Sequence, residues 1–325
     1  MNRMRLRTTL PFWRAAALRV VVAASLAICL RPATRAQTQV THPYDGITCI
    51  DRQEQSPRPV HMHIAQIDLR TRGLRFKVSP PAGSRETVRQ RTVDYLRQEH
   101  AQLAINGHFF LPFPSDDADA WVIGLAASEG RVFSAFESPE QSYAIVADAP
   151  ALNIDARNRA RIVHRDPGRG DGLHVRERVR LWNVVAGSAQ IVTNGRATVP
   201  AYRDADHAGG LLTAGGPGNR YSNARSWYDL ANARTAAGLS RDNRTLTLFT
   251  VDVRAGSEGM RLGEVAALLI RDYGVWNAIN LDGGGSTTMA WQDPATGMPE
   301  MLNVSSDSPE GRSVASSLAV FARRR

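Results

Sequence analysis

The chain has 325 residues, with 40 basic and 31 acidic side chains and a formal charge of +9. Seven of the basic residues and none of the acidic ones fall in the first 36, which leaves 33 against 31, a net +2, for the rest. That balance excludes nucleic-acid binding as an expectation, since such binding needs a basic patch on the folded domain.

The first 36 residues read as a signal peptide. Arg3, Arg5, Arg7, Arg14 and Arg19 precede an unbroken apolar run at 20–30, and Thr34 and Ala36 are placed for cleavage after Ala36. The run is too short for a membrane span, which needs ~20 residues. Cys29 follows Leu26-Ala27-Ile28, but Ile28 is bulky where a lipobox has a small residue. The mature chain is therefore expected in the periplasm or outside the cell, without a membrane span. Cys49 is its only cysteine, which excludes an intramolecular disulfide and a cysteine-based metal site.

Residues 37–58 are polar and rich in Gln, Ser and Pro, and read as a flexible lead-in. Residues 61–69 alternate as a strand, and 74–78 read as its hairpin partner across Arg72-Gly73. A helix is predicted at 86–99, followed by a strand at 102–106 that ends on Asn106-Gly107. Strands are predicted near 121–127, 143–147, 151–155, 180–185 and 188–193, and a long ordered surface loop at 203–232. A hairpin is predicted at 234–240 and 245–252. An amphipathic helix at 261–273 carries Leu262, Val265, Leu268 and Leu269 on one side. An apolar strand at 276–281 runs into Asp282-Gly283-Gly284-Gly285, and 314–322 is the closing strand. The pattern predicts an α/β (α+β) fold, a mixed β-sheet core with a few helices, in one compact domain at 59–325. The two segments reading helix, apolar strand, Ala-Ile-Asn, glycine echo each other. If the echo is structural, their strand ends frame one site.

Three motifs could carry chemistry. In Asn280-Leu281-Asp282-Gly283-Gly284-Gly285-Ser286-Thr287, three glycines after a buried strand permit positive φ angles and close approach to a ligand. Successive amides there could form an anion-binding concavity. Asp282 supplies a carboxylate, and Ser286 and Thr287 supply hydroxyls. In Asn106-Gly107-His108-Phe109-Phe110, Phe109 could stack on a sugar and His108 could carry a proton or a hydrogen bond. In Arg234-Thr235-Ala236-Ala237-Gly238, an arginine among small residues suggests a guanidinium held over open space, suited to phosphate. His61 and His63 share one strand face, but no third ligand stands at a recognisable spacing, so no metal and no cofactor are expected. Neither a nucleophile elbow nor a dinucleotide fingerprint is present.

The ordered set resembles the phosphodiester glycosidase family over most of residues 60–322. It comprises Asn106-Gly107-x-Phe109-Phe110, Arg234-Thr235-Ala236-x-Gly238 with Val251-Asp252, the block Ser257-x-Gly259-Met260-x-Leu262-x-Glu264-x-Ala266 with Asn280 to Ser286, and Glu310-x-Arg312-x-Val314. Val253 stands where the family prefers glycine. The resemblance implies an exported hydrolase that frees a sugar from a sugar-1-phosphodiester, with a carbohydrate phosphodiester or polysaccharide as partner. Asp282 is expected as the catalytic carboxylate, with Asp252 the next candidate, and Arg234 as the phosphate clamp. Asn106, Gly107, His108, Phe109, Asn280, Gly283, Gly284, Gly285, Ser286 and Thr287 are expected to bind substrate. The rival readings are another glycosidase or phosphodiesterase on envelope polysaccharide, and a non-catalytic glycan-binding protein.

Overall fold

Alternation along the strands sets the architecture. Ala65 and Ile67, Ala237 and Leu239, Leu246 and Leu248, and Ile279 and Leu281 recur every second residue and line one buried face. They belong to an eight-stranded sheet with the order Gln37–Tyr44, Ile47–Glu54, Val60–Asp68, Thr245–Val251, Arg234–Ser240, Val275–Leu281, Ala189–Thr193, Arg196–Ala197. Every pairing in it is antiparallel. The buried face meets Leu103, Ile105, Met289, Leu318 and Val320 of a second sheet. That sheet has the order Pro299–Met301, Met289–Gln292, Leu103–Asn106, Ser317–Phe321, Arg75–Val78. A third, five-stranded sheet holds Ala126–Ser128, Asn183–Ala186 and Ala151–Ile154 at its centre. This computed structural model describes residues 37–137, 145–200 and 227–324, which fall within one compact unit, Arg35–Arg325. The expected signal peptide lies outside the described residues, as do 201–226, most of the expected long loop, and the start of the strand expected at 143–147.

The helix Leu262–Tyr273 covers the other face of the eight-stranded sheet. Its apolar stripe of Leu262, Val265, Ala266, Leu268 and Leu269 packs on Met62, Ile64, Ala236 and Phe249. Glu264 closes its first turn by accepting the Arg261 N–H at 2.7 Å, and Gly274 ends it at φ 63°. Thr92–Glu99 is the other α-helix among the described residues. The α+β reading therefore holds, with strands dominant.

Three expectations are corrected. Residues 37–58 are not a flexible lead-in, because Gln37–Tyr44 and Ile47–Glu54 form two strands of the eight-stranded sheet. The first has exposed side chains on both faces through most of its length, which hides it from hydrophobic patterning. Residues 61–69 and 74–78 do not pair with each other. Val60–Asp68 pairs with Ile47–Glu54 and Thr245–Val251, and Arg75–Val78 crosses to the second sheet to pair with Ser317–Phe321. The predicted helix at 86–99 starts only at Thr92, because Thr87 and Val88 pair as a short strand with Ala120 and Asp119.

At one end the interior of the two-sheet sandwich turns polar. Cross-strand register places Asp51 beside His63, His63 beside Thr250, and Thr250 beside Thr235, all continuing the apolar face. His63, Thr250 and Thr235 are buried. Fully burying a Leu or Ile gains about 1.5–3 kcal/mol, so a polar row in that position forgoes stability that an apolar core would have had. The site lies at this end.

Candidate active site

Asn106 joins the two sheets where their strands end. Its Nδ2 donates to the Asp282 carbonyl at 2.7 Å, and its Oδ1 accepts from Thr235 Oγ1 at 2.9 Å and from the Thr288 N–H at 3.0 Å. The Asp282 N–H in turn donates to the Gly107 carbonyl at 3.0 Å. The ends of the two echoed strands, which belong to different sheets, thus meet at Asn106 and Asp282. Gly107 is required by packing: a Cβ there would sit 2.7 Å from Ser316 Oγ and 3.1 Å from Val185.

The three glycines fold the chain back around Asp282. Gly284, at φ 57°, donates its amide to the Ala233 carbonyl at 2.8 Å, and Gly284–Ser286 make one turn of 3₁₀-helix. The Thr287 N–H closes that turn on the Gly284 carbonyl at 3.1 Å. A Cβ on Gly283 would lie 2.9 Å from the Ala233 carbonyl oxygen, which is backbone and cannot swing away. The expected row of amides facing an anion is therefore corrected. Gly284 spends its N–H on Ala233, and Gly283 gives its N–H to the Asp282 carboxylate itself. Ser286 adds a side-chain hydrogen bond to that carboxylate. Burial outweighs these bonds and the nearby Arg312, and pushes Asp282 up from 3.8 to about 7.

Arg312 is the cation beside Asp282. Its Nη1 reaches Ser286 Oγ at 3.4 Å, its Nη2 pairs with Asp307 at 3.0 Å, and its guanidinium lies 4.6 Å from the centre of the Phe113 ring. Gly285 makes this possible, since a Cβ there would collide with the guanidinium. On the other side stand Phe109 and Trp227, whose rings meet edge-on at 6.2 Å. Trp227 runs along the loop, and Cβ atoms on Gly283 and Gly284 would lie 3.1 and 3.3 Å from it. Both rings are only partly buried, as a sugar-stacking wall requires. Asn280 and Thr287 sit behind the carboxylate. Asn280 Nδ2 donates to Ser188 Oγ at 2.8 Å, and Thr287 Oγ1 accepts from Thr235 at 3.3 Å. Sequence reasoning assigned no role to Arg312 or Trp227. Arg312 was visible only as one position of the closing motif, and Trp227 lay in the stretch read as loop.

His108, Arg234 and Asp252 are placed differently from expectation. His108 is wholly buried, its Nε2 accepts the Ala186 N–H at 2.9 Å, and its Nδ1 is 2.7 Å from Ser316 Oγ. Burial lowers its pKa to about 4, so it is neutral at physiological pH and braces the loop without carrying protons. Asp252 is also wholly buried; its Oδ1 accepts the Val304 N–H at 3.1 Å, and its other oxygen faces His61 and His63. Arg234 does not reach over open space. Its Nε donates to the Met260 carbonyl at 3.0 Å and its Nη2 to the carbonyls of Trp227 and Leu230, with the guanidinium 4.6 Å from the Trp227 ring. Burial draws its pKa down to about 9, which leaves it charged at pH 7. Arg234→Ala should therefore lower stability by about 3–5 kcal/mol in chemical denaturation, because three buried carbonyls lose a charged donor. A phosphate clamp would instead show unchanged stability and a raised KM.

A cleft of about 460 Å³ opens at the opposite end of the sheets, near Arg70, Arg161 and Arg244. Its acids Asp155 and Asp242 are engaged by Arg159 and Arg244. It offers no carboxylate held as Asp282 is.

The loop thus sets a buried carboxylate, a cation and two partly buried aromatic rings close together. A family model described as phosphodiester glycosidase matches residues 99–321. The chain belongs to the phosphodiester glycosidase family. A 62-residue stretch is 45% identical to the N-acetylglucosamine-1-phosphodiester alpha-N-acetylglucosaminidase of Mus musculus; it covers 19% of this chain and only 12% of that protein. The fold is similar to the catalytic domain of the zebrafish enzyme of the same name, with a TM-score of 0.53 and 20% identity over 89% of this chain and 88% of that one. It is also similar to a hypothetical protein from Synechocystis, with a TM-score of 0.57 and 16% identity over 89% and 68% of the two chains.

Proposed function

We propose that this enzyme hydrolyses a sugar-1-phosphodiester at the anomeric carbon, releasing free sugar and a phosphomonoester. The observation that carries the reading is the placement of the Arg312 guanidinium beside the buried Asp282 carboxylate, with Ser286 between them. An ordinary glycosidase expels a poor alkoxide and needs a second carboxyl group as acid. A departing phosphomonoester has a pKa of ~6 and leaves with little proton assistance. One carboxylate at the anomeric carbon and one cation at the leaving phosphate would then suffice. Asp282 has the position for the first, and Arg312 replaces Arg234 as the residue for the second. Phe109 and Trp227 would stack on the sugar ring. We further propose that the substrate belongs to envelope or exopolysaccharide metabolism outside the cytoplasm, a reading supported by the Arg-rich leader at 1–36. Among the described residues no helix is long and apolar enough to cross a membrane. Product analysis on an aryl sugar-1-phosphodiester tests the central claim. Free sugar with aryl phosphate is the expected outcome, whereas sugar-1-phosphate with free phenol would mean a phosphodiesterase on the same scaffold.

A further inference from the structure

His61 and His63 converge on Asp252 without hydrogen-bonding it. His61 Nδ1 and His63 Nε2 each lie 3.5 Å from Asp252 Oδ2. His63 is 3% exposed and Asp252 is wholly buried, and among the described residues neither His63 Nε2 nor Asp252 Oδ2 has a hydrogen-bond partner. Burying such groups unpaired is costly. A separation of 3.5 Å is long for a charge-assisted hydrogen bond. It is right for two ligands of one metal ion, because Zn–N and Zn–O bonds of about 2.0–2.2 Å at tetrahedral angles set ligand atoms roughly 3.3–3.5 Å apart.

The opposite nitrogens of the same two rings face Asp51. His61 Nε2 is 2.9 Å from Asp51 Oδ2, and His63 Nδ1 is 3.5 Å from it. This is how metal-binding imidazoles are commonly oriented, with one nitrogen on the metal and the other held by a carboxylate. The partly exposed side chains of Asp51 and His61 leave the cluster a route for an ion to enter.

We propose that His61 Nδ1, His63 Nε2 and Asp252 Oδ2 bind a divalent zinc-type ion, with Asp51 orienting the His61 ring and water completing the tetrahedron. Two imidazoles favour zinc over the hard cations calcium and magnesium. The ion ties the strand Val60–Asp68 to the residue that follows Thr245–Val251, and through Asp252 Oδ1 to Val304. No third ligand is legible from spacing, because Asp252 follows another strand and is brought to the two histidines only by cross-strand register.

The test is to strip the full protein with EDTA and titrate it with Zn²⁺ alone, reading metal content, affinity and melting temperature. One zinc ion per chain and a raised melting temperature are expected. His61→Ala, at the partly exposed ligand, should weaken zinc binding at least 100-fold, as should Asp252→Asn. Asp51→Asn should weaken it about 10- to 100-fold. The proposal is overturned if the stripped wild type takes up no zinc, if calcium displaces zinc at equal concentration, or if His61→Ala binds as tightly as wild type. It is overturned as well if Asp51→Asn abolishes binding that Asp252→Asn retains.

Discussion

Asp282→Asn is expected to abolish hydrolysis and to make the protein more resistant to heat at pH 8. The sign follows from where the proton prefers to be. Burial raises Asp282 from 3.8 to about 7, so the folded protein favours the neutral carboxyl. Below about pH 4 the group is neutral folded or unfolded and costs nothing. As pH rises from about 4 to 7 the unfolded chain ionises first, and stability is lost until the folded form ionises too. The gap between 3.8 and about 7 corresponds to roughly 4 kcal/mol. Asparagine carries no charge at any pH, so its advantage should be small at pH 4 and full above pH 7. Melting curves at pH 4 and pH 8 would measure it. Turnover of the diester should fall by at least about 10³, since the group meeting positive charge at the anomeric carbon is gone. In the wild type, kcat/KM should rise as pH passes through about 7. An activity that instead falls through the same range would make Asp282 the proton donor.

Arg312→Ala should reduce turnover of the diester by about one to two orders of magnitude, the worth of one charge-assisted contact of about 1.5–3 kcal/mol. It should change the weak turnover of an aryl glycoside without phosphate far less, because that substrate gives a guanidinium nothing to hold. A second effect separates this role from mere packing. Arg312 favours the ionised form of Asp282, so its loss should move the rising limb of the pH profile to higher pH. Arg312→Lys keeps a charge and should restore the profile, while recovering only part of the rate because a single ammonium cannot form the bidentate contact. Equal losses on both substrates with an unmoved pH profile would remove Arg312 from the phosphate.

The sequence placed some of these groups well because they sit where a strand stops. Asn106 and Asp282 each follow an apolar run, and glycine marks the place where side chains end and backbone must turn. Arg234 was read at the correct height but on the wrong face. Side chains alternate along a strand, so Thr235 points at Asn106 and Thr287 while Arg234 points toward Met260 and Trp227. Nothing local to Arg-Thr-Ala-Ala-Gly tells which of the two faces the site. His108 failed for a related reason, since its burial is set by Ser316 and Ala186, distant in sequence. The strand Gln37–Tyr44 was lost because its polar side chains suit the edge of a sheet as well as they suit a coil, and Ile47–Glu54 because its side chains are mostly half-buried and polar. Arg312 is joined to Asp282 by a fold that brings two separate loops together, and no spacing records that.

The second sheet carries a consequence for when its pairing can be completed. Its strand Ser317–Phe321 lies between Leu103–Asn106 and Arg75–Val78, with Ser317 directly opposite Asn106. The chain emerges from the ribosome in order, so the strand that ends in Asn106 waits for this neighbour through more than 200 further residues. Until translation reaches that point, the strand that ends in Asn106 can pair with Met289–Gln292 on one side and has no neighbour on the other. A nascent chain that has not yet reached Ser317–Phe321 thus holds Asn106 on a strand with one of its two neighbours still missing.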